Sequence, residues 1–565
     1  MPQSVLSVER IAALLPAPIP DRAWDDLLFA SKAEVVARDG DALTLSVTPD
    51  RLDLLSEGGL ALYLAGVLGV AHGIPRALGP APGAQRPVFE VDPSVAPVRP
   101  AIAGALVRAP EGASLDPGTL DEAVRFQELI HGTVGRDRRA ASLGLYPWER
   151  LTPPIRYAAE PIRAVRFVPL GGGEELSGEA FFAAHPYATR FGALGRVGAD
   201  RCLVLRDRAG AVLSLPPILN GRSAGEARPG DRSLLIESTG RDERTVRESL
   251  GLLLVVFAAR GWTIEPVAVE RAGSPRDPGE AAVADRAIDL PSRLVREISG
   301  TSLSAPEIEQ RLSQTRLAPR PIEGGWRVGV PPWRPDLMAP VDVAEDVVLA
   351  AALRPEDGIV PASRTRGRLL PEIRFRRSVA LDLLGLGFAA PHTPVLVAEE
   401  SVARWGGARP IRLRNPVSAE FAYLRDRLLL SHLPVLAHNT RHAYPQRFAE
   451  VGPVVIRDPA AESGGATRYH AGLAVASEGA GFADVAALVD YLLRRLDVGS
   501  VREPFELAGM IPGRSARCRV AGEPVAEMGE IHPAILSALG VPLPVAWAEV
   551  DLSALWPFAR RRDAP

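Results

Sequence analysis

The chain has 565 residues, enough for roughly three to five domains, each with its own core. Hydrophobic residues make up 47% and charged residues 24%, as in ordinary folded globular protein, while a net charge of −3 excludes a global basic field for gripping nucleic acid. Two cysteines, Cys202 and Cys518, exclude a disulfide framework and any multi-cysteine zinc site.

The N-terminal stretch MPQSVLSVERIAALLPAPIPDRAW lacks a basic region followed by an apolar run, so no signal peptide is expected. The longest apolar stretch, 250–259, is too short to span a bilayer. A cytoplasmic protein without membrane contact is the expectation. Positive charge is carried almost entirely by arginine, with Lys32 as the one lysine, which points to codon composition rather than to RNA affinity.

Clusters of proline and glycine mark seams at 73–87, 270–286 and 354–368. The first segment, 1–95, predicts a strand over 42–47 and a helix from about 54 to 68. A long central segment, 96–275, carries LSLPPILN (213–220) and LLIESTGRD (234–242). In these, Ser214, Glu237 and Thr239 read equally as strand and turn residues with local hydrogen bonds. The third segment, 285–358, predicts two helices, PSRLVREISG and SAPEIEQRLSQT, the second capped by Ser304. That second helix carries Glu307, Glu309 and Arg311, so it is too acidic for reading a nucleic-acid groove.

A strand, GWRVGVPPW, then leads into PPWRPDLMAPVDVAEDVV. Asp342, Glu345 and Asp346 stand at i, i+3 and i+4 and share one helix face, with Asp336 six residues upstream. Two expectations stand side by side. Four carboxylates suit a hard cation such as Mg²⁺, which takes oxygen ligands and keeps room for other partners. Alternatively, Asp342 is an N-cap, with Glu345 closing a capping box and Asp346 favouring the helix dipole. The last segment, 365–565, holds the helical stretch RFRRSVALDLLGLGF and apolar runs at 428–436 and 471–476 that call for burial.

Three motif matches carry nothing. Gly385-Leu-Gly387-Phe-Ala-Ala390 follows a helical pattern rather than a strand. Gly221-Arg-Ser223-Ala-Gly225 has no helix expected behind it, so it is no nucleophile elbow. His432, His438 and His442 lack a completing acid and read as surface or capping histidines.

The string Pro-Pro-Trp-Arg-Pro-Asp followed by Val-Asp-Val-Ala-Glu-Asp-Val resembles the matching segment of the phenylalanyl-tRNA synthetase β subunit, of the archaeal and eukaryotic cytosolic type. Other stretches resemble that family in the family's order. They are TPDRLDLLSEGGLALYLAG, QELIHGTVGRDRRAASLGLYPWERLTPPIRY, the two central motifs, IRLRNPVSAEFAYLRDRLLLSHL with YPQRFAEVG, and GRSARCRVAGEPVAEMGEIHP. Two departures stand out: the opening of the first loop reads Thr48 to Asp53, and Arg241 stands where the family usually has threonine.

The resemblance implies an α+β multidomain fold with four parts. These are an N-terminal α/β domain (1–95), an editing domain (96–275), a winged-helix-like domain with the acidic helix (285–358), and a class II synthetase-like antiparallel sheet with flanking helices (365–565). It implies that Asp336, Asp342, Glu345 and Asp346 hold a Mg²⁺ shared with an α subunit. It also implies that the central domain hydrolyses tyrosine mischarged onto tRNA-Phe, with Glu237 accepting the phenol, Ser214 and Thr239 donating hydroxyls, and Leu205 or Pro217 walling the ring. The last domain would be non-catalytic, its Arg425, Arg447 and Glu450 serving fold and interface. ATP and phenylalanine would bind the α subunit of an α2β2 heterotetramer acting on tRNA-Phe. Two rivals remain: a stand-alone aminoacyl-tRNA deacylase, and a duplicated β-like adaptor without editing activity.

Overall fold

A computed structural model describes residues 2–16, 19, 24–29, 31–75, 87–300, 302–350, 365–405 and 410–559. The chain divides into two compact units, Met1–Val360 and Pro361–Pro565. The seam expected at 354–368 falls largely outside the described residues, as does part of that at 73–87. Among the described residues no helix is long and apolar enough to cross a membrane.

In the first unit, Gln3–Ser7, Ala42–Val47 and Ala33–Asp39 form a three-stranded antiparallel sheet, and the Glu57–Val67 helix follows a short 3-10 turn at Leu52–Leu55. The expected strand and helix are thus present, with the helix broken where Ser56 caps its start by accepting from Gly59 N–H.

The centre of this unit is a four-stranded antiparallel sheet ordered Thr263–Pro266, Ala101–Arg108, Ser233–Gly240, Ala141–Pro147. Every residue of Ser233–Gly240 is buried, because helices cover one face and a second sheet covers the other. The covering helix Glu243–Ala258 is the 250–259 apolar run. Asp242 caps it by accepting from Thr245 N–H, and Leu250, Leu252, Leu253 and Leu254 are sealed from solvent. Each such leucine contributes about 1.5–3 kcal/mol relative to exposure, so this helix clamps the sheet. The second sheet places Val212–Leu215 between Leu219–Asn220 and Arg201–Arg206. The expected capping of the Ala305–Gln314 helix is present as a full capping box, Ser304 with Glu307.

The second unit is built on a six-stranded antiparallel sheet, Gln446–Arg457 at one edge and Val501–Pro504 at the other. One face is covered by the helices Pro371–Gly385, Phe482–Arg495 and Leu552–Ala559. On the other lies the helix Leu429–His438, which buries the apolar run expected to need cover.

His432 is fully buried on this helix, its ring 5.1 Å from that of Phe448, so it is a core residue and not the surface or capping histidine its motif had implied. Gly472 makes the approach possible. A Cβ there would stand 2.6 Å from the His432 ring and 2.9 Å from Leu428 Cβ. Arg425 is wholly buried and bonded to Glu450 (3.0 Å), Pro453 O (2.9 Å) and Ser431 Oγ (3.0 Å), a structural tie.

Gly472→Ala is expected to destabilise this unit by about 1–3 kcal/mol through overpacking. Denaturant unfolding followed by far-UV circular dichroism reads the shift.

Candidate functional site

The acidic motif does not assemble four ligands. Arg334, two residues before Asp336, points its guanidinium into the cluster and engages two of the four carboxylates. Its Nε lies 3.0 Å and its Nη2 2.8 Å from the Asp336 oxygens, and its Nη1 and Nη2 lie 2.9 and 3.1 Å from those of Asp346. Side chains of all three are at most 7% exposed. Burial opposes the Arg334 charge, yet Asp336 and Asp346 more than offset it and hold its pKa well above the ordinary value. Burial likewise opposes the Asp336 charge, and Arg334 still holds that carboxyl below its usual range.

Asp342 sits in the first turn of Pro340–Ala350, not at its N-cap, and Oδ2 accepts from Met338 and Ala339 N–H at 2.8 Å each. Glu345, half exposed, bonds Lys32 Nζ at 2.9 Å. Among the described residues no group of three or more histidine, cysteine, aspartate or glutamate side chains is arranged to hold a metal ion. The residues present therefore do not fit a four-carboxylate Mg²⁺ site, because the chain's own guanidinium stands where the cation would.

The same network absorbs the departure at Thr48–Asp53. Arg51 is buried, bonded to both Asp53 oxygens (3.0 and 2.9 Å), and lies 4.6 Å from the centre of the Tyr63 ring. Lys32 bridges Asp50 to Glu345, at 2.9 Å from each, and so ties the first loop to the acidic helix.

The central segment forms a cavity of about 390 Å³. Its walls come from the Pro117–Gly132 helix (Leu120, Val124, Gln127, Glu128, His131), the edge strand Ala141–Pro147, and the segment 214–220. Of the expected residues, Ser214, Pro217 and Glu237 line it. Leu205 and Thr239 do not. Leu205 pairs opposite Ser214 but packs in the apolar cluster that holds Tyr146, and Thr239 is fully buried with its carbonyl accepting from Arg99 and its hydroxyl 3.3 Å from Ser142 Oγ. Arg241 is exposed and lies outside the lining.

Register places Glu237 between two glycines, opposite Gly104 on one neighbouring strand and Gly144 on the other. The room at Gly144 is taken by Tyr146, whose hydroxyl would lie 2.2 Å from a Cβ there. That hydroxyl is 2.9 Å from Glu237 Oε1 and 2.8 Å from Ser214 Oγ. A phenol has one proton, so Tyr146 donates to one of the two and accepts from the other. Glu237 Oε2 is buried and has no hydrogen-bond partner in the chain. Burial pushes the Glu237 pKa up to about 7, against the lowering effect of the Tyr146 hydrogen bond and the Arg99 charge. Tyr146 stands in the family-like stretch quoted above, but no role was expected of it, and its partners are 68 and 91 residues away.

His131 offers no free base. Its Nε2 accepts from Leu143 N–H at 2.8 Å, its Nδ1 faces Glu128 at 3.2 Å, and burial lowers its pKa. Glu128 is held at about 2: burial works against ionisation, but His131 and Arg138 outweigh it. Arg138 donates to Glu128 Oε1 (2.7 Å), Pro217 O (3.1 Å) and Ile218 O (3.0 Å), fixing the wall that Pro217 forms.

A second cavity, about 650 Å³, lies on the sheet of the other unit. Three of its charged pairs are closed within the chain, whereas both Asp426 carboxylate oxygens are buried without a hydrogen-bond partner, with Arg427 3.9 Å away. His470 bonds Glu549 (2.6 Å), Arg468 bonds Asp551 (2.9 Å), and Arg517 bonds Glu527 (2.6 Å). Burial opposes the His470 charge, but Asp551 and Glu549 raise its pKa to about 9.

Comparison with known proteins places this architecture. The phenylalanyl tRNA synthetase beta chain CLM domain profile matches residues 358–552, and the tRNA synthetase B5 domain profile matches 288–351. The phenylalanine–tRNA ligase beta subunit of Korarchaeum cryptofilum is 30% identical over 91% of this chain and 92% of its own length. The chain belongs to the phenylalanine–tRNA ligase beta subunit family. The beta subunit of Thermofilum pendens is likewise 30% identical, over 98% of both chains. A crystal structure of an N-terminal fragment of the Pyrococcus horikoshii beta subunit covers 62% of this chain and all of its own, with a TM-score of 0.56 at 26% identity.

Two outcomes test this geometry. Arg334→Met leaves Asp336 and Asp346 buried without a counter-charge and is expected to cost about 3–5 kcal/mol, while Mg²⁺ at millimolar concentration leaves the melting temperature of the unaltered chain unchanged. For Glu237 the folded pKa, about 7, lies above its ordinary 4.5. Its contribution to stability is therefore full below about pH 4.5 and lost as pH rises through about 7. Glu237→Gln should match the parent chain at pH 4.5 and exceed it by up to about 3 kcal/mol at pH 8, read by urea titration at each pH.

Proposed function

We propose that this chain is the scaffold and editing subunit of a cytoplasmic phenylalanine–tRNA ligase, working with an α subunit that binds ATP and phenylalanine. Magnesium belongs with the ATP chemistry of that partner. Within the acidic motif of this chain, Asp336 and Asp346 are committed to Arg334, Glu345 is paired with Lys32 and Asp342 accepts from two backbone N–H groups, so the motif is assigned to the scaffold rather than to a metal. The division of labour follows 1–95 and 285–358 as scaffold, 96–275 as the hydrolytic part, and 365–565 as the face offered to the partner in an α2β2 assembly on tRNA-Phe.

The observation that carries the editing role is the Glu237 oxygen left without a partner at the wall of the cavity. A tyrosyl side chain brings a hydroxyl that can pair with it. A phenylalanyl side chain brings none and leaves a buried polar group unsatisfied. Sites that hydrogen-bond a substrate hydroxyl reject the analogue lacking it by about 10⁴–10⁵-fold, far beyond what size discrimination gives. The Glu237 pKa near 7 lets the carboxyl accept or donate at neutral pH, which suits general acid–base work on the ester. Ser214 holds Tyr146, and Tyr146 holds Glu237, so the side chain that senses the phenol is already oriented before substrate arrives.

The rival of a dead adaptor predicts no hydrolysis at all. The rival of a stand-alone deacylase predicts full hydrolysis without the α subunit. The deciding experiment is deacylation of Tyr-tRNA-Phe and Phe-tRNA-Phe by this chain alone and with its α subunit, beside Glu237→Ala. The expected result is fast, Tyr-selective hydrolysis by the complex, reduced at least 100-fold in the variant. Normal phenylalanylation without Tyr-selective hydrolysis overturns the editing role.

A further inference from the structure

The second unit sets an acid and a base side by side at a cavity and lets neither use the other. Arg425 is held by Glu450 and by the Pro453 carbonyl, and the Leu428 N–H is held by both Glu549 oxygens at 3.0 Å each. The chain is thus pinned on either side of Asp426 and Arg427, which both line the cavity of about 650 Å³ on the sheet. Only 4% of the Asp426 side chain is exposed, and neither of its oxygens has a hydrogen-bond partner in the chain. Arg427 Nε and Nη1 are buried and equally unpartnered. The two groups stand 3.9 Å apart, beyond hydrogen-bond reach.

The neighbouring charges are spoken for. Along one row of the sheet Glu549 stands opposite Glu527, and Glu527 opposite Arg517, which bonds it. His470 spans Glu549 (2.6 Å) and Asp551 (3.5 Å), and Arg468 takes Asp551. A third group is left over. Trp547, two residues before Glu549 on the same strand, also lines the cavity, is 1% exposed, and its indole N–H has no acceptor. Buried polar groups are satisfied as a rule, yet this cavity leaves Asp426, Arg427 and Trp547 unanswered together. Burial raises the Asp426 pKa although Arg427 works to lower it, as befits a carboxylate short of donors. Ile456, Pro459, Pro524 and Val525 supply the apolar part of the lining.

We propose that this cavity binds a free α-amino acid with an apolar side chain, its ammonium on Asp426 and its carboxylate on Arg427 and the Trp547 N–H. An α-amino acid carries opposite charges on one carbon, which is what two adjacent and mutually unused charges can receive. A phosphate or other simple anion satisfies Arg427 but brings a like charge to Asp426, which works against binding. A simple amine leaves Arg427 and Trp547 without acceptors, and a buried group left unpaired costs its full desolvation. The volume of about 650 Å³ falls within the range of small-molecule sites, about 300–1,000 Å³, and leaves room for a large side chain beside Ile456 and Val525. The site belongs to the second unit and does not rest on the hydrolysis assigned to the Glu237 cavity.

The test is isothermal titration calorimetry on the full-length chain with its α subunit. The probes are L-leucine and L-tryptophan, each beside its amine alone (3-methylbutylamine, tryptamine) and its acid alone (4-methylpentanoate, indole-3-propionate). At least one of the amino acids is expected to bind about tenfold or more tightly than either of its halves. Asp426→Asn should remove the advantage over the acid, and Arg427→Gln the advantage over the amine. Asp426→Asn takes away a buried charge without a hydrogen-bond partner, so its melting temperature should hold or rise, and binding lost there is not a lost fold. Failure of both amino acids to bind, or binding no tighter than that of their halves, overturns the proposal. Tighter binding of inorganic phosphate than of either amino acid also overturns it. An advantage kept in both variants places the ligand elsewhere in the complex and overturns the site.

Discussion

The first unit depends on the burial of Arg334 between Asp336 and Asp346. An unpaired charge in such a place costs several kcal/mol, so the three groups are tolerable only together. Their pairing forces the loop before Pro340–Ala350 to fold back on that helix. Arg51 and Asp53 form a second buried pair that shares the field of the first, since Arg51 helps lower the Asp336 pKa and Asp53 helps raise that of Arg334. Lys32 joins the two loops from outside. Segments nearly 300 residues apart in sequence are tied by these charges, beside Trp333, which is buried in the same apolar cluster as Leu54 and Leu60. Geometry of this kind is unforgiving, and that gives the scaffold its definition.

The cavity uses the opposite strategy. There one carboxyl is buried without a full set of partners, and its raised pKa is the signature of that incompleteness. The surrounding sheet can bear the cost because Glu243–Ala258 seals it from behind with a run of buried leucines. Stability sits in the helix–sheet interface, and the unsatisfied group sits where a substrate hydroxyl can complete it.

Some of this was legible in the residues and some was not. The Ser304 cap and the 42–47 strand follow from local rules of spacing and propensity, and the structure contains both, whereas the apolar run 250–259 was read only as too short for a membrane and lies largely in a core helix. The shared face of Asp342, Glu345 and Asp346 was also legible, but its partner was misjudged. Arg334 is two residues from Asp336 as Arg51 is from Asp53, and this repeated Arg-x-Asp spacing was the available sign that the cation is internal. Leu205 was expected in the ring wall. Only the packing of two sheets decides that it faces Tyr146's cluster instead. Tyr146 stood within a family-like stretch, yet its role was not legible, because that role arises from pairing across distant strands. His432 looked like a surface residue until the glycine opposite it, Gly472, let the helix come close.

The absence of a side chain at Gly144 carries a further consequence. A methyl there would stand 2.2 Å from the hydroxyl and 2.7 Å from Cζ of Tyr146, and 2.8 Å from Glu237 Oε1. Loss of the hydroxyl alone therefore makes no room for it. Any side chain at 144 displaces both the ring that orients Glu237 and the carboxyl itself, so the bare backbone at this one position is what lets ring and carboxyl meet.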